Sequence, residues 1–267
     1  MRFACSLLVV LGLAAPAAFG ASSYATSVIN YNPGLGAQPG FTDPSVALGS
    51  PERFTGEGQF PAAVTPFSGP YGSDEIVSIG AGGSITLQFA APVVNDPNNP
   101  FGIDLLIFGN QGYIDLDYPL GIAGPIFGGS SGGRVEVSAD GADWRVVVGA
   151  EPEANFPALG YSDLTDPFAT DPGLVFSDFS KPVNPAFNPA GKTFAQIVAA
   201  YDGSGGGTGI DFASTGLSQI SYVRIVNAGT GLVHVDAVSD VAAVPAPGAA
   251  PLLLLLIPRR RRVVTAG

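Results

Sequence analysis

An all-β fold, a jelly-roll-like β-sandwich with long loops and one short helix, is predicted by three observations. Apolar residues recur with a period of two in short runs, 37 glycines and 24 prolines are interleaved with those runs, and only one segment has helical character. A chain of 267 residues that is 46% apolar and 12% charged can bury a full core around one such domain.

The elements follow in order. Residues 21 to 83 are turn-rich, with VINYNPG and TDPSVALGSP, and read as loops with one or two short strands. SITLQFA from Ser84 alternates strictly, setting Ile85, Leu87 and Phe89 against Thr86 and Gln88, as a half-buried strand does. IDLLIF from Ile103 is apolar on both faces apart from Asp104, the pattern of a central strand. RVEVSADGADWRVVV holds two alternating runs around Asp140 and Gly141, a dipeptide that tolerates hairpin backbone angles. Trp144 is expected to plug the core beside Val135 and Val137.

From Glu151 to Pro189 the chain is rich in Pro, Asp, Asn and Phe without periodicity, which predicts a long ordered excursion over the sandwich. KTFAQIVAAY is the one expected helix, with Thr193 as its cap. YDGSGGGTG reads as a flexible turn, SYVRIV as a strand and LVHVDAVSDV as the closing strand.

Three segments result: an export signal at 1–20, a β-sandwich domain at 21–241, and a Pro-rich linker and C-terminal sorting or anchor segment at 242–267. MRFACSLLVVLGLAAPAAFG has a basic start, an apolar run and small residues at Ala18 and Gly20 that suit cleavage after Gly20. The only cysteine, Cys5, lies inside that signal, so the mature chain is expected to carry no disulfide and to rely on its core or bound ions.

The tail VPAPGAAPLLLLLIPRRRR has an apolar block from Pro251 to Pro258, far short of the roughly 20 residues a membrane-spanning helix needs. Its order is a spacer, an apolar plug and a basic stop, which favours keeping the arginines on the cytoplasmic side during export. Pro245, Pro247, the leucines and Arg259, Arg260, Arg261 and Arg262 resemble the PEP-CTERM sorting signal of bacterial surface proteins. The resemblance implies a membrane-bound exosortase as processing partner and transient membrane contact through the tail. Ala246 stands where that motif has glutamate, and the apolar run is about half the usual length.

Charge excludes one partner class. Five of the 11 basic residues are Arg2 and Arg259 to Arg262, so the stretch between them sets six basic residues against 22 acidic ones. Such a surface repels nucleic acid, whose binding rests on neutralising phosphates.

VEVSADGADW and the later SYVRIV resemble the galactose-binding-like jelly roll of discoidin-type and carbohydrate-binding modules. IDLLIFGNQG, VEVSADGADW, NPAGKTF, GIDFASTGL, YVRIVN and VHVDAVSDV also occur in the order seen in a family of bacterial cell-surface proteins carrying DFxVFEN, VEVSxDG, AGKT, FDLA and FDLDAV. The first resemblance implies the fold and, by analogy, a carbohydrate ligand; the second implies a surface setting. Two positions depart from the second pattern: Gly109 replaces the glutamate of FEN, and His234 replaces the first aspartate of FDLDAV.

Calcium is the expected cofactor, because it takes six to eight oxygen ligands and can staple loops where disulfides are missing. Asp104, Asn110, Asp211 and Asp236 are the expected ligands, since each interrupts or borders an apolar strand where an unpaired carboxylate or amide is costly. The alternative for these residues is capping of backbone amides in turns, or a place at sheet edges in water. DGSGGGTGID at 202 has acids only at its ends and is no EF-hand. The GKT at 191–193 lacks the first Walker glycine, Ala186 standing there, so nucleotide binding is excluded.

Catalysis has a thin inventory. The single histidine, His234, lies inside an apolar strand, and no spacing singles out a carboxylate pair. Aromatic residues in predicted loops, Tyr113, Tyr118 and Tyr161 foremost, with Tyr71, Phe156 and Phe168 beside them, are expected to stack on sugar rings. The function expected is therefore non-catalytic: a cell-surface or matrix component that recognises extracellular polysaccharide, with structural calcium. A purely structural envelope protein and a carboxylate-based glycoside hydrolase are the alternatives.

Overall fold

The computed structural model describes residues 22–128 and 133–241. The export segment 1–20 and the sorting residues Pro245, Pro247 and Arg259 to Arg262 lie outside the described residues. In chain order the strands are β1 (Ala25–Asn32), β2 (Phe54–Thr55), β3 (Ala62–Ala63), β4 (Val77–Ile79), β5 (Ser84–Val94), β6 (Leu105–Phe108) and β7 (Gly112–Asp115). There follow β8 (Ala123–Phe127), β9 (Gly133–Ser138), β10 (Arg145–Val146), β11 (Thr208–Ile210), β12 (Gln219–Asn227), β13 (Val233–Val235) and β14 (Ala237–Asp240). The one α-helix, α1, spans Phe194–Tyr201.

The fold is an all-β sandwich of antiparallel sheets. One sheet has the order β1-β5-β12-β9-β10, and a second has the order β11-β6-β14, with β13-β4 as a separate pair. The period-two pattern of β5 explains the first sheet: Ile85, Leu87 and Phe89 enter the main core with Val135 and Val137 of β9 and Val223 and Ile225 of β12. Leu105, Ile107, Ile210 and Val238 of the second sheet close that core from the other side.

Strand β6 is buried on both faces, as its unbroken apolar run predicts. Leu105 and Ile107 face the main core, whereas Leu106 and Phe108 face a second cluster with Val64, Ala158 and Phe179. Ala158 and Phe179 belong to the excursion between Glu151 and Pro189, which thus forms an outer layer over the second sheet. Thr193 caps α1 and Gln196 returns the bond, a complete capping box.

Four local expectations change. The N-terminal stretch contains the eight-residue edge strand β1, whose largely exposed side chains hide it from an apolar count. LVHVDAVSDV is two strands, because Asp236 breaks the run: its carboxylate accepts from the Glu52 N–H, and β13 and β14 join different partners. The glycine run is buried from Ser204 to Thr208, with Gly206 at φ +80° and so near the Pro157 carbonyl oxygen that a Cβ would lie 2.2 Å from it, and so forms a close backbone crossing. Trp144 lies on the outer face of the first sheet, its ring 4.0 Å from the Arg224 guanidinium carbon, and leaves the core to valines.

Candidate functional site

Glu75 braces one wall of an acidic surface cleft. Its Oε1 accepts from the Gly56 N–H at 2.8 Å, and its Oε2 accepts from the N–H groups of Tyr71 (2.9 Å) and Gly72 (2.8 Å) and from the Thr55 hydroxyl. Four donors on one buried carboxyl group hold the β2–β3 hairpin against the turn at 71–75, so its oxygens are not left unpaired. Between these segments and residues 39–41 lies a cavity of about 400 Å³, lined among others by Glu57, Asp74, Glu75 and Tyr71.

Tyr71 is the wall between this cavity and an adjoining apolar shelf of about 580 Å³ lined by Phe60, Pro61, Ala62 and Thr170. The tyrosine hydroxyl donates to the Phe60 carbonyl at 2.6 Å, and Phe60 itself is 81% exposed. Gly56 has φ +70°, and a Cβ there would lie 1.9 Å from the Tyr71 hydroxyl, so glycine is needed for the ring to seat.

The electrostatics are one-sided. Burial first, then the nearby charges of Glu75, Glu57 and Asp74, push the Glu52 carboxyl up to about 7. Asp236, fully enclosed behind it, is raised well above the usual carboxylate range by burial. No lysine or arginine lines the cavity. The cleft can therefore stack an apolar ring face on Tyr71 and Phe60 and accept hydrogen bonds from hydroxyl or ammonium groups, and it disfavours anions.

The expected metal ligands separate into two pairs. Asp104 and Asp211 lie at one end of β6, where Ile210 pairs with Leu105; Asn110 and Asp236 lie at the other, where Ala237 pairs with Phe108. A strand of four residues at about 3.3 Å each keeps these ends too far apart for one ion. A single four-ligand calcium site is thus corrected.

Asp104 instead accepts from the N–H groups of Asp96 and Phe212 and the Asn99 amide, and Asp211 caps Ala213. Among the described residues no three His, Cys, Asp or Glu side chains are grouped to hold a metal.

The expected sugar contacts also divide. Tyr113 is 2% exposed and packs edge-on against Phe67 in a core under the excursion, so its ring faces are not available. Tyr161 is buried against Phe176. Both are corrected: each belongs to a segment pinned to the sheet by its own apolar ring. Tyr118 is 75% exposed and packs on Phe168, two residues before Thr170 of the shelf.

Of the cleft residues, only Tyr71 is among the contacts the sequence points to. Glu57, Asp74 and Glu75 carried a visible signal, acids beside aromatics in a turn-rich stretch, but their convergence depends on a hairpin too short to be read from periodicity. No protein-family model matches the chain, and no curated protein matches it. Fold and cleft together define an antiparallel β-sandwich domain with an acidic, aromatic-walled surface cavity.

Proposed function

We propose that this chain is an exported cell-surface or extracellular-matrix protein whose sandwich domain binds polysaccharide without catalysis in the Tyr71 cleft. The observation that carries the reading is the junction of an exposed aromatic shelf with a cavity of hydrogen-bond acceptors, the combination that sugar recognition uses. The absence of lining cations directs it to neutral or amino-bearing glycans rather than to uronates or sulfated chains.

Export by residues 1–20 and processing of the tail by an exosortase-type enzyme belong to the same reading, on the strength of their residue patterns. Calcium enters it only as the expected loop staple of a chain whose mature part has no cysteine, with no position assigned.

The test is glycan-array binding of the mature chain in calcium buffer with a parallel EDTA arm, alongside Tyr71→Ala. Binding to neutral or amino glycans that Tyr71→Ala abolishes supports the reading. An array silent for both proteins moves the assignment to a structural envelope protein, and binding insensitive to EDTA removes calcium from it.

A second reading is a carboxylate-based glycoside hydrolase in which Glu52, its carboxyl pushed up to about 7 by burial and then by the charges of Glu75, Glu57 and Asp74, serves as the acid. Release of reducing ends from a bound glycan, lost in Glu52→Gln, would establish it.

A further inference from the structure

Among the described residues two that are not glycine have a left-handed backbone, Phe101 at φ +61° and Asp202 at φ +50°. They lie far apart in the sequence, yet both line one cavity of about 330 Å³, together with Pro100, Pro182, Lys181 and Asn184. Aspartate tolerates that conformation and here ends α1, whereas a bulky aromatic residue in it is an outlier. Residues held in such conformations gather at ligand clamps.

Core burial does not offset the strain at Phe101, which is 54% exposed. Asparagine or glycine would hold the same turn without it, so the use of the ring lies outside the packing of the fold. The polar side of the cavity offers both donors and acceptors. Lys181 Nζ donates to Asp202 Oδ2 at 2.9 Å and to the Asp202 carbonyl oxygen, and an ammonium has a third hydrogen to give. Asn184 uses its Oδ1 to accept from the Ala186 N–H at 2.9 Å, and its amide nitrogen remains a donor. The Asp202 side chain is 85% exposed and adds a carboxylate acceptor.

We propose that the Phe101 cavity is a second carbohydrate site, which takes one neutral pyranose ring bearing adjacent hydroxyls. The apolar face of the sugar stacks on Phe101 beside Pro100 and Pro182, one hydroxyl accepts from Lys181 or Asn184, and its neighbour donates to Asp202. The cavity is at the small end of ligand sites, which suits a single ring. Asp202 already engages the charge of Lys181, so phosphate and uronate find no unpaired cation there. The Tyr71 cleft differs in having no lysine in its lining. The inference rests on the reading of this chain as a polysaccharide binder but not on Tyr71 itself. Two sites on one chain hold a polysaccharide at two points, and the gain from that linkage is lost with either one.

Calorimetry of the mature chain with cellotriose, mannotriose and triacetylchitotriose reads each site by itself, because a short soluble sugar lacks the two-point gain of an arrayed polysaccharide. The expected result is that Tyr71→Ala still takes one of these sugars at one per chain, and that adding Phe101→Asn to it weakens the binding at least tenfold. A Tyr71→Ala chain that takes none of them overturns the inference and leaves the Tyr71 cleft standing. Binding that Phe101→Asn leaves unchanged in that background overturns it as well. If Phe101→Asn alone abolishes binding that Tyr71→Ala does not touch, the Tyr71 reading falls and this one stands; a wild type that takes no sugar removes both. Asparagine accepts the left-handed backbone, so Phe101→Asn is expected to melt at or above the wild-type Tm. A lowered Tm would show that the ring serves packing and would overturn the inference.

Discussion

The guanidinium of Arg224 is held between the ring of Trp144, 4.0 Å away, and the carboxylate of Glu136, whose Oε2 accepts from Arg224 Nε at 2.6 Å. Arg134 engages the other oxygen of Glu136 at 2.7 Å. Glu136 is almost fully buried beneath the two arginines, so truncation would leave two cations without their counter-charge. Glu136→Ala is expected to destabilise the domain by about 2 kcal/mol, between the values for exposed and buried pairs. Trp144 is the single tryptophan, so its emission in equilibrium unfolding reads both the loss and the changed ring environment.

Gly206 has φ +80°, and a Cβ on it would meet the Pro157 carbonyl at 2.2 Å. Gly206→Ala is expected to cost more than about 2 kcal/mol, from the left-handed backbone and the clash together. Gly203→Ala, at φ +81° with open space around it, is expected to cost less than Gly206→Ala. Thermal melts of the pair separate the clash from the backbone effect, and equal losses would show that the close approach does not matter.

Removing the Thr193 hydroxyl takes one half of the capping box of α1. The helix has eight residues and contributes Phe194, Ile197 and Tyr201 to the core under the excursion. Thr193→Ala is expected to lower stability by about 1 kcal/mol and Thr193→Ser to retain most of it, measured by urea unfolding.

Stability is expected to fall as pH rises from about 4.5 to 7. Glu52, held up to about 7, and Asp240, held up to about 6 by burial and then by Asp104, bind protons in the folded state that the unfolded chain has released. Their contribution is fully present below the ordinary carboxylate range and is lost as pH climbs through the folded values. Asp140, Asp163 and Asp202 act oppositely: hydrogen bonds hold them below 3.8, so their contribution is lost as acidity increases further. A Tm profile across pH 3 to 8 should peak near about pH 4 to 5, and Glu52→Gln should flatten its neutral limb. A profile rising steadily to pH 7 would refute this balance.

Chain periodicity carried the sandwich. The alternation of β5 and the unbroken run of β6 specify their burial locally, since side-chain direction in a strand follows position alone, and Thr193 and Gln196 mark the helix start by chemistry within four residues. Tertiary structure decided what depends on residues far apart in sequence. Asp104 and Asp236 look alike as acids beside apolar runs, yet antiparallel pairing sends them to opposite ends of β6.

Tyr113 and Tyr71 look alike as loop aromatics, yet only packing against Phe67 distinguishes a core ring from a cleft wall. Gly109, which reads in the sequence as a missing carboxylate, is the space that Glu153 fills from 44 positions further along the chain. Local pattern reports which way a side chain points; what it meets there is settled by the folding of the rest of the chain around it.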